Sequence, residues 1–533
     1  MIFRKLLPFL FCITILAAER VTPEEAWNLG WPTFQGPDGN CLPAQTETEL
    51  VDDLADARLV WESETNVIGR AKHTTGAFKG STAESRLQKV LDILGPGRKT
   101  PPGSWASPII AEGKLFMSTF RPAGKLYDVK PYDFKSDPQK RTAKAHLEAE
   151  DLLVALDVGT GKVLWETAGS GGFIWGVGKR MGFQVTPVYR DGVVYSMGTT
   201  GRVFAHSAMD GKKLWETAPL EKMLEEKAKY LQRSEVYQVT RNYGWQQSLV
   251  FAGGTVVVPR GGDLQGLDPE DGSVRWELSR VVSRWVTPAV WKKGCREYLL
   301  CPTYGKPGEA SLNLVDAEKG SILWTVGGLD STQFNLSPAE DVVLVNVGSQ
   351  HLHPSPNASA PKNPKGEAPY GRLGAYKLTL EGAEKIWEFP DEADFLIPTW
   401  SDTLGRPRYI IREGLVYFAS GGEHKKNGQR FIIARADTGE VLTNEPRQND
   451  YWYQLMGDKL LHSIDWAHGK SASFNLYDSR PEEFKILSGP WRTKEPLTTC
   501  YQVFMEPPVI DGRIFWRTEN GTVVCYDLRK VKE

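Results

Sequence analysis

The sequence has almost no excess charge, few methionines, no adjacent cysteines and, beyond its first 18 residues, no long apolar run. Its 533 residues set 64 Lys and Arg against 66 Asp and Glu, a formal charge of -2. That balance lacks the broad positive field that phosphate-backbone binding requires, which excludes nucleic acid as a partner. No later segment is long and apolar enough to cross a bilayer, so no transmembrane span is expected in the mature chain. Six cysteines match neither a disulfide framework nor zinc spacing. Cys295 and Cys301 sit on one extended segment, out of mutual reach, whereas Cys500 and Cys525 could pair. What is plentiful is Trp and Gly, 18 and 52 against 8 Met. That bias favours many short strands with glycine turns over packed helices.

The start of the chain reads as an address. Arg4 and Lys5 precede the apolar run Leu6 to Ala18, the length of a secretory signal core. On that reading residues 1–18 are a signal peptide, and the chain is exported to the periplasm or the exterior. The alternative is an uncleaved anchor. Removal leaves Cys41, Cys295, Cys301, Cys500 and Cys525, an odd number, so at least one thiol stays free.

One string organises the remainder. Ala155-Leu-Asp157-Val-Gly-Thr160-Gly161-Lys162-Val-Leu-Trp165-Glu166 recurs at Ala205 to Glu216, Leu267 to Glu277 and Val315 to Trp324. Trp165, Trp215, Trp276 and Trp324 are 50, 61 and 48 residues apart, a period that marks a repeat architecture. Trp387 continues the series, and Thr438-Gly439-Glu-Val-Leu442 is a copy without Trp. Asp ends a strand, Gly supplies the left-handed turn position, and Trp follows on the next strand to pack between neighbouring sheets. A second hairpin signal precedes each copy, as in Val185-Thr186-Pro187 to Asp191-Gly192. Two hairpins make four strands, one propeller blade.

Counting places blades at 105–167, 184–217, 245–277, 285–325, 333–388, 407–443, 451–488 and 503–527. The eighth lacks a Trp-bearing fourth strand, and Ala57-Arg-Leu-Val-Trp61-Glu62 supplies one. The expectation is an all-β, eight-bladed β-propeller of four-stranded antiparallel blades. Its ring is closed by residues 57–63 pairing with 522–528, which removes an exposed edge. The propeller then spans 57–533 and 19–56 form a lead-in. Helical insertions are expected at 219–231, 136–151 and 81–94, the last with Ser81 and Glu84 at capping-box spacing.

The string at Ala155 to Trp165 resembles the repeat of the pyrroloquinoline-quinone-like, or quinoprotein-type, β-propellers. Trp31-Pro32-Thr-Phe34-Gln-Gly36-Pro37 resembles the lead-in of secreted bacterial members. The resemblance implies one of two classes: dehydrogenases that oxidise alcohols or sugars with the quinone and Ca²⁺, or non-enzymatic scaffolds such as the propeller lipoprotein of the outer-membrane β-barrel assembly machinery. Fold alone does not choose. The enzyme class often carries adjacent cysteines against the cofactor; this sequence has none, and no spacing picks out Ca²⁺ ligands. The favoured reading is therefore an exported, non-catalytic scaffold without a cofactor, binding envelope or secreted proteins or a small neutral or sugar-like ligand. A quinone- and Ca²⁺-dependent dehydrogenase and a carbohydrate-binding propeller are the alternatives.

Residues just before each first strand should face the channel mouth: Trp105, Gln184, Gln246 beside Trp245, Trp285, Asn335 and Phe504. Aromatic and amide groups there could stack on and hydrogen-bond a sugar, peptide or quinone, though the same groups also serve to fill a narrow throat. His351 and His353 lie in the Pro- and Asn-rich stretch Gly348 to Gly371, read as a long loop. They share one side of an extended segment and could offer two nitrogens to Zn²⁺ or Cu²⁺, but no third ligand is identifiable.

Overall fold

The computed structural model describes residues 20–64, 106–132, 142–177, 180–181, 185–219, 247–283, 286–306, 308–332, 334–354, 367–389, 396–398, 409–420, 429–447, 452–464, 473–495, 506–518 and 521–531. The expected helices at 81–94 and from residue 220 to 231 lie outside them, as do residues 1–19.

Local chemistry sets the turns. Asp157 Oδ1 accepts from Thr160 N at 2.8 Å, and Gly161 N closes the turn onto Asp157 O at 2.8 Å. Asp268 and Asp316 cap the matching turns in the same way. Strands grown from these turns pair into eight separate sheets. In the fourth-strand position of every sheet the ladder slips by one residue, as between Leu59 and Trp61 or Lys213 and Trp215. This bulge turns the following side chain toward the next blade.

That side chain is usually Trp. Trp61, Trp215, Trp276, Trp324 and Trp387 donate Nε1–H to the carbonyls of Val158, Pro269, Ala317, Thr379 and Ala436 at 2.8–3.0 Å. Each acceptor opens the strand-three to strand-four turn of the next blade. Trp165 sits likewise on the turn at Gly211, without such an acceptor among the described residues. Blade six has no Trp; Phe431 stacks on Phe484 instead, with centroids 5.2 Å apart, and Thr443 Oγ1 donates to Pro481 O at 3.1 Å.

The ring closes as expected. Arg58–Glu62 pairs antiparallel with Val523–Asp527, Arg58 opposite Asp527 and Trp61 opposite Cys525. Trp61 then seats on the Gly161 turn of blade one, joining the last blade to the first.

Three expectations are corrected. Residues 142–151 are not helical: they belong to the strand Thr142–Asp157, laddered to Lys114–Tyr132 on one side and Val163–Val177 on the other. Two neighbouring strands satisfy its backbone, which overrides the helical composition of the stretch. His351 and His353 lie not in a loop but in the strand Val342–Pro354, opposite Tyr370 and Ala368. Blade five departs from four regular strands, its innermost strand reduced to an Ala339–Val342 bridge while Leu396–Pro398 pairs with Glu367–Leu378. Cys525 is a buried free thiol, so the Cys500–Cys525 pairing is not formed; Cys41 and Cys301 are also free, and Cys295 is disulfide-bonded.

The indole contact tolerates no side chain beneath it. A Cβ on Gly320, whose φ is 63°, would lie 2.2 Å from Trp276 Cγ. Gly320→Ala is expected to destabilise by about 2–4 kcal/mol through clash and left-handed strain, and Trp276→Ala by about 3–5 kcal/mol. In urea denaturation the double variant should lose less than the sum, because removing the indole relieves the clash; additive losses would contradict the contact.

Candidate functional site

The connections sort onto two faces. Turns joining strands one to two and three to four run two to six residues, and every longer connection joins strands two to three or leads into the next blade. One face of the ring is therefore built of tight turns and the opposite face carries all the insertions.

The tight-turn face is stoppered by the chain's own lead-in. After the helix Pro23–Leu29, capped reciprocally by Thr22 and Glu25, Trp31 exchanges backbone hydrogen bonds with Ile110 in blade one, and Pro32 O accepts from Tyr189 N in blade two at 2.9 Å. Gln35 Nε2 donates to Leu336 O at 2.6 Å and Ser337 Oγ to Asn40 O at 2.7 Å, both in blade five. Gln454 Nε2 of blade seven donates to Cys41 O at 2.8 Å. Blades one and five face each other across an eight-membered ring, so this segment crosses the axis. Trp31, Phe34, Gln35 and Cys41 are all buried in it.

Above the stopper, the entrances to the first strands are tied into a belt. Ser107 N donates to Thr186 Oγ1 at 3.0 Å, Thr186 N to Ser248 Oγ at 3.2 Å, Ser248 N to Thr287 Oγ1 at 2.9 Å and Thr287 N to Asn335 Oδ1 at 2.8 Å. Glu506 N donates to Ser107 Oγ at 2.7 Å, and Ser337 N to Tyr409 Oη at 3.2 Å. Asn335, the one mouth candidate among the described residues, spends its carbonyl oxygen on this belt. Trp105, Gln184, Trp245, Gln246, Trp285 and Phe504 lie outside the described residues, and the side chains of His351 and His353 are likewise not described.

Between blades one and two lies a group that sequence reasoning missed. Asp151 Oδ1 accepts from Thr199 N at 2.8 Å, and with His206, Ser118, Thr119, Thr167 and Ser196 it lines a cavity of about 10 Å³. Burial pushes the Asp151 carboxyl up to about 6, against the Thr199 hydrogen bonds and Arg202. Burial, with Lys213 nearby, pulls His206 down to about 4. The only sequence signal was a Glu150-Asp151 pair at the edge of an apolar run. The cavity has room for about one water and none for a substrate.

The family described as outer membrane protein assembly factor BamB matches residues 149–289. These residues are pyrroloquinoline-quinone-like propeller repeats. No curated protein matches the chain significantly in sequence. Among solved structures the propeller is similar to BamB from Moraxella catarrhalis, 14% identical with a TM-score of 0.45, covering 77% of this chain and 99% of that one. It is also similar to the quinohemoprotein alcohol dehydrogenase of Comamonas testosteroni, 14% identical with a TM-score of 0.43, covering 97% and 84%. A third is the quinohemoprotein alcohol dehydrogenase ADHIIG of Pseudomonas putida HK5, 14% identical with a TM-score of 0.40, covering 96% and 81%. These three likenesses carry no functional argument; the propeller rests on its own strand pairing.

The quinone-like name invites a test of fit. Among the described residues, no three His, Cys, Asp or Glu side chains converge as metal ligands, and the hydroxyls and the Asn335 amide at the strand entrances bond one blade to the next. These described strand-entrance groups are committed to holding one blade to the next, and no step is derived through a quinone or its Ca²⁺. Asn335→Ala is expected to cost about 1–3 kcal/mol by leaving the buried Thr287 N–H without its acceptor, read as a lowered thermal midpoint. An unchanged midpoint would free Asn335 from the belt.

Proposed function

We propose that the protein is an exported, non-catalytic β-propeller that serves as a binding or protein-assembly scaffold in the cell envelope. The observation that carries this reading is the asymmetry of the ring: one face is stoppered and tightly turned, and every long connection leaves from the other. Such connections are where recognition is built on a rigid scaffold. The match of residues 149–289 to the assembly-factor family supports the same direction. Among the described residues no helix is long and apolar enough to cross a membrane, and the leader at residues 1–18 would deliver the chain outside the cytoplasm.

Two measurements test it. A photo-crosslinking residue at Lys306, on the insertion face, should capture envelope proteins in cells, whereas one at Asp271, on a tight turn, should not; equal capture, or capture from Asp271 alone, would overturn the face assignment. Purified protein incubated with pyrroloquinoline quinone and Ca²⁺ should show no dye-linked dehydrogenase activity on alcohols or sugars. Activity that EDTA abolishes would replace the scaffold reading with the enzymatic one.

A further inference from the structure

The seam between blades one and two holds two titratable groups that neither the belt nor the scaffold reading uses. Asp151 stands opposite Phe120 on one neighbouring strand and Gly169 on the other, and its carboxylate leaves its own sheet for blade two. There it accepts from Thr199 N and presses on Gly198, where a Cβ would fall 2.1 Å from Oδ2. Only glycine admits a carboxylate so close. From blade two, His206 enters the same cavity, its ring stacked on Phe204 at 5.9 Å. Its Nδ1 is buried with no hydrogen-bond partner among the described residues.

The charged groups around the seam are few. Arg202 faces Asp151 from blade two and is itself paired with Glu216 at 3.3 Å. Lys213 and Glu216 flank His206. Arg121, bound to Glu150 and Glu166, lies on blade one. None of these lines the cavity, so burial favours the neutral form of both the carboxyl and the imidazole.

We propose that Asp151 and His206 form a proton-compensated seam, in which opening the blade-one to blade-two contact releases a proton from one and binds a proton at the other. The signs follow from linkage. In the closed seam Asp151 holds its proton more tightly than in water, since its carboxyl is raised from 3.8 to about 6. Its contribution is full at low pH and is lost as pH rises through about 6. His206 holds its proton less tightly, lowered from 6.5 to about 4. Its contribution is full above 6.5 and is lost as pH falls toward about 4. Between those limits one gains what the other loses, and the hold of the seam stays nearly level.

Hydrogen exchange at the Thr199 amide, corrected for intrinsic rates and compared at about pH 7.5 and about pH 5, reads the opening directly. From the two shifts, protection in the unaltered protein should change by only about threefold. His206→Gln, which leaves Asp151 unopposed, should gain about tenfold protection on acidification, and Asp151→Asn should lose about thirtyfold. A tenfold or larger change in the unaltered protein, or two variants that shift the same way or not at all, would overturn the proposal. Should Asp151→Asn fail to fold, His206→Gln decides alone: pH-independent protection would overturn it.

Discussion

The contact on which the ring depends is an indole seated on the turn of the next blade. At the sockets of Trp61, Trp165, Trp215, Trp276 and Trp387 it combines three local things: a polar cap that shapes the turn, a glycine directly beneath the ring, and a bulge that swings the Trp out of its own sheet. Each is a short-range property of the string around Asp157 to Trp165 and its copies, which is why a repeat of chemistry becomes a repeat of structure. The contact is also directional, blade to following blade, so an open chain of blades would leave one turn uncovered and one edge unpaired. Supplying the last fourth strand from Arg58–Glu62 removes both defects together, and ties residues far apart in sequence into one element.

Where the indole is absent, the rest of the device persists. The fourth strands of blades six and seven keep their bulge, opposite Ile433/Ala434 and Leu476/Tyr477, although Thr443 and Ser488 stand where the other blades place Trp. The seam between them is held by Phe431 and Phe484, nearly parallel at 5°. Blade seven meets blade eight through the lead-in, with Ser488 Oγ accepting from Leu54 N at 2.7 Å and Trp491 set edge-on to Tyr526. An aromatic pair is worth about 0.5–1.5 kcal/mol beyond its buried area. The bulge thus sets the geometry of a seam, and the side chain that fills it is exchangeable.

This division explains what could be read from sequence. Turns, docking tryptophans, the eight-blade count and the closing strand were legible because each is written in residues a few positions apart. The stopper was not: Gln35 and Leu336 are 301 residues apart, and no spacing announces their meeting. Asn335 stood out as a polar group near a mouth, but only the pairing of blades four and five shows its oxygen bound to Thr287 N. Asp151 was hidden twice. Its stretch has the charged, alanine-rich composition of a helix, and its significance comes from desolvation, which depends on what blade two brings over it.

The docking contact also constrains where this propeller can vary. The turn between strands three and four is the socket for the neighbouring indole, so lengthening it would unseat a Trp and cost several kcal/mol at that seam. The turn between strands one and two is closed by paired left-handed residues such as Asp191 and Gly192, and around it packs the lead-in, as at Asp511, which accepts from Thr46 and Thr48. Both kinds of turn emerge on the same face. Connections free of either duty emerge on the other, and a loop closed there costs only slowly more as it grows. Insertions therefore accumulate on one face as a consequence of how the blades hold one another.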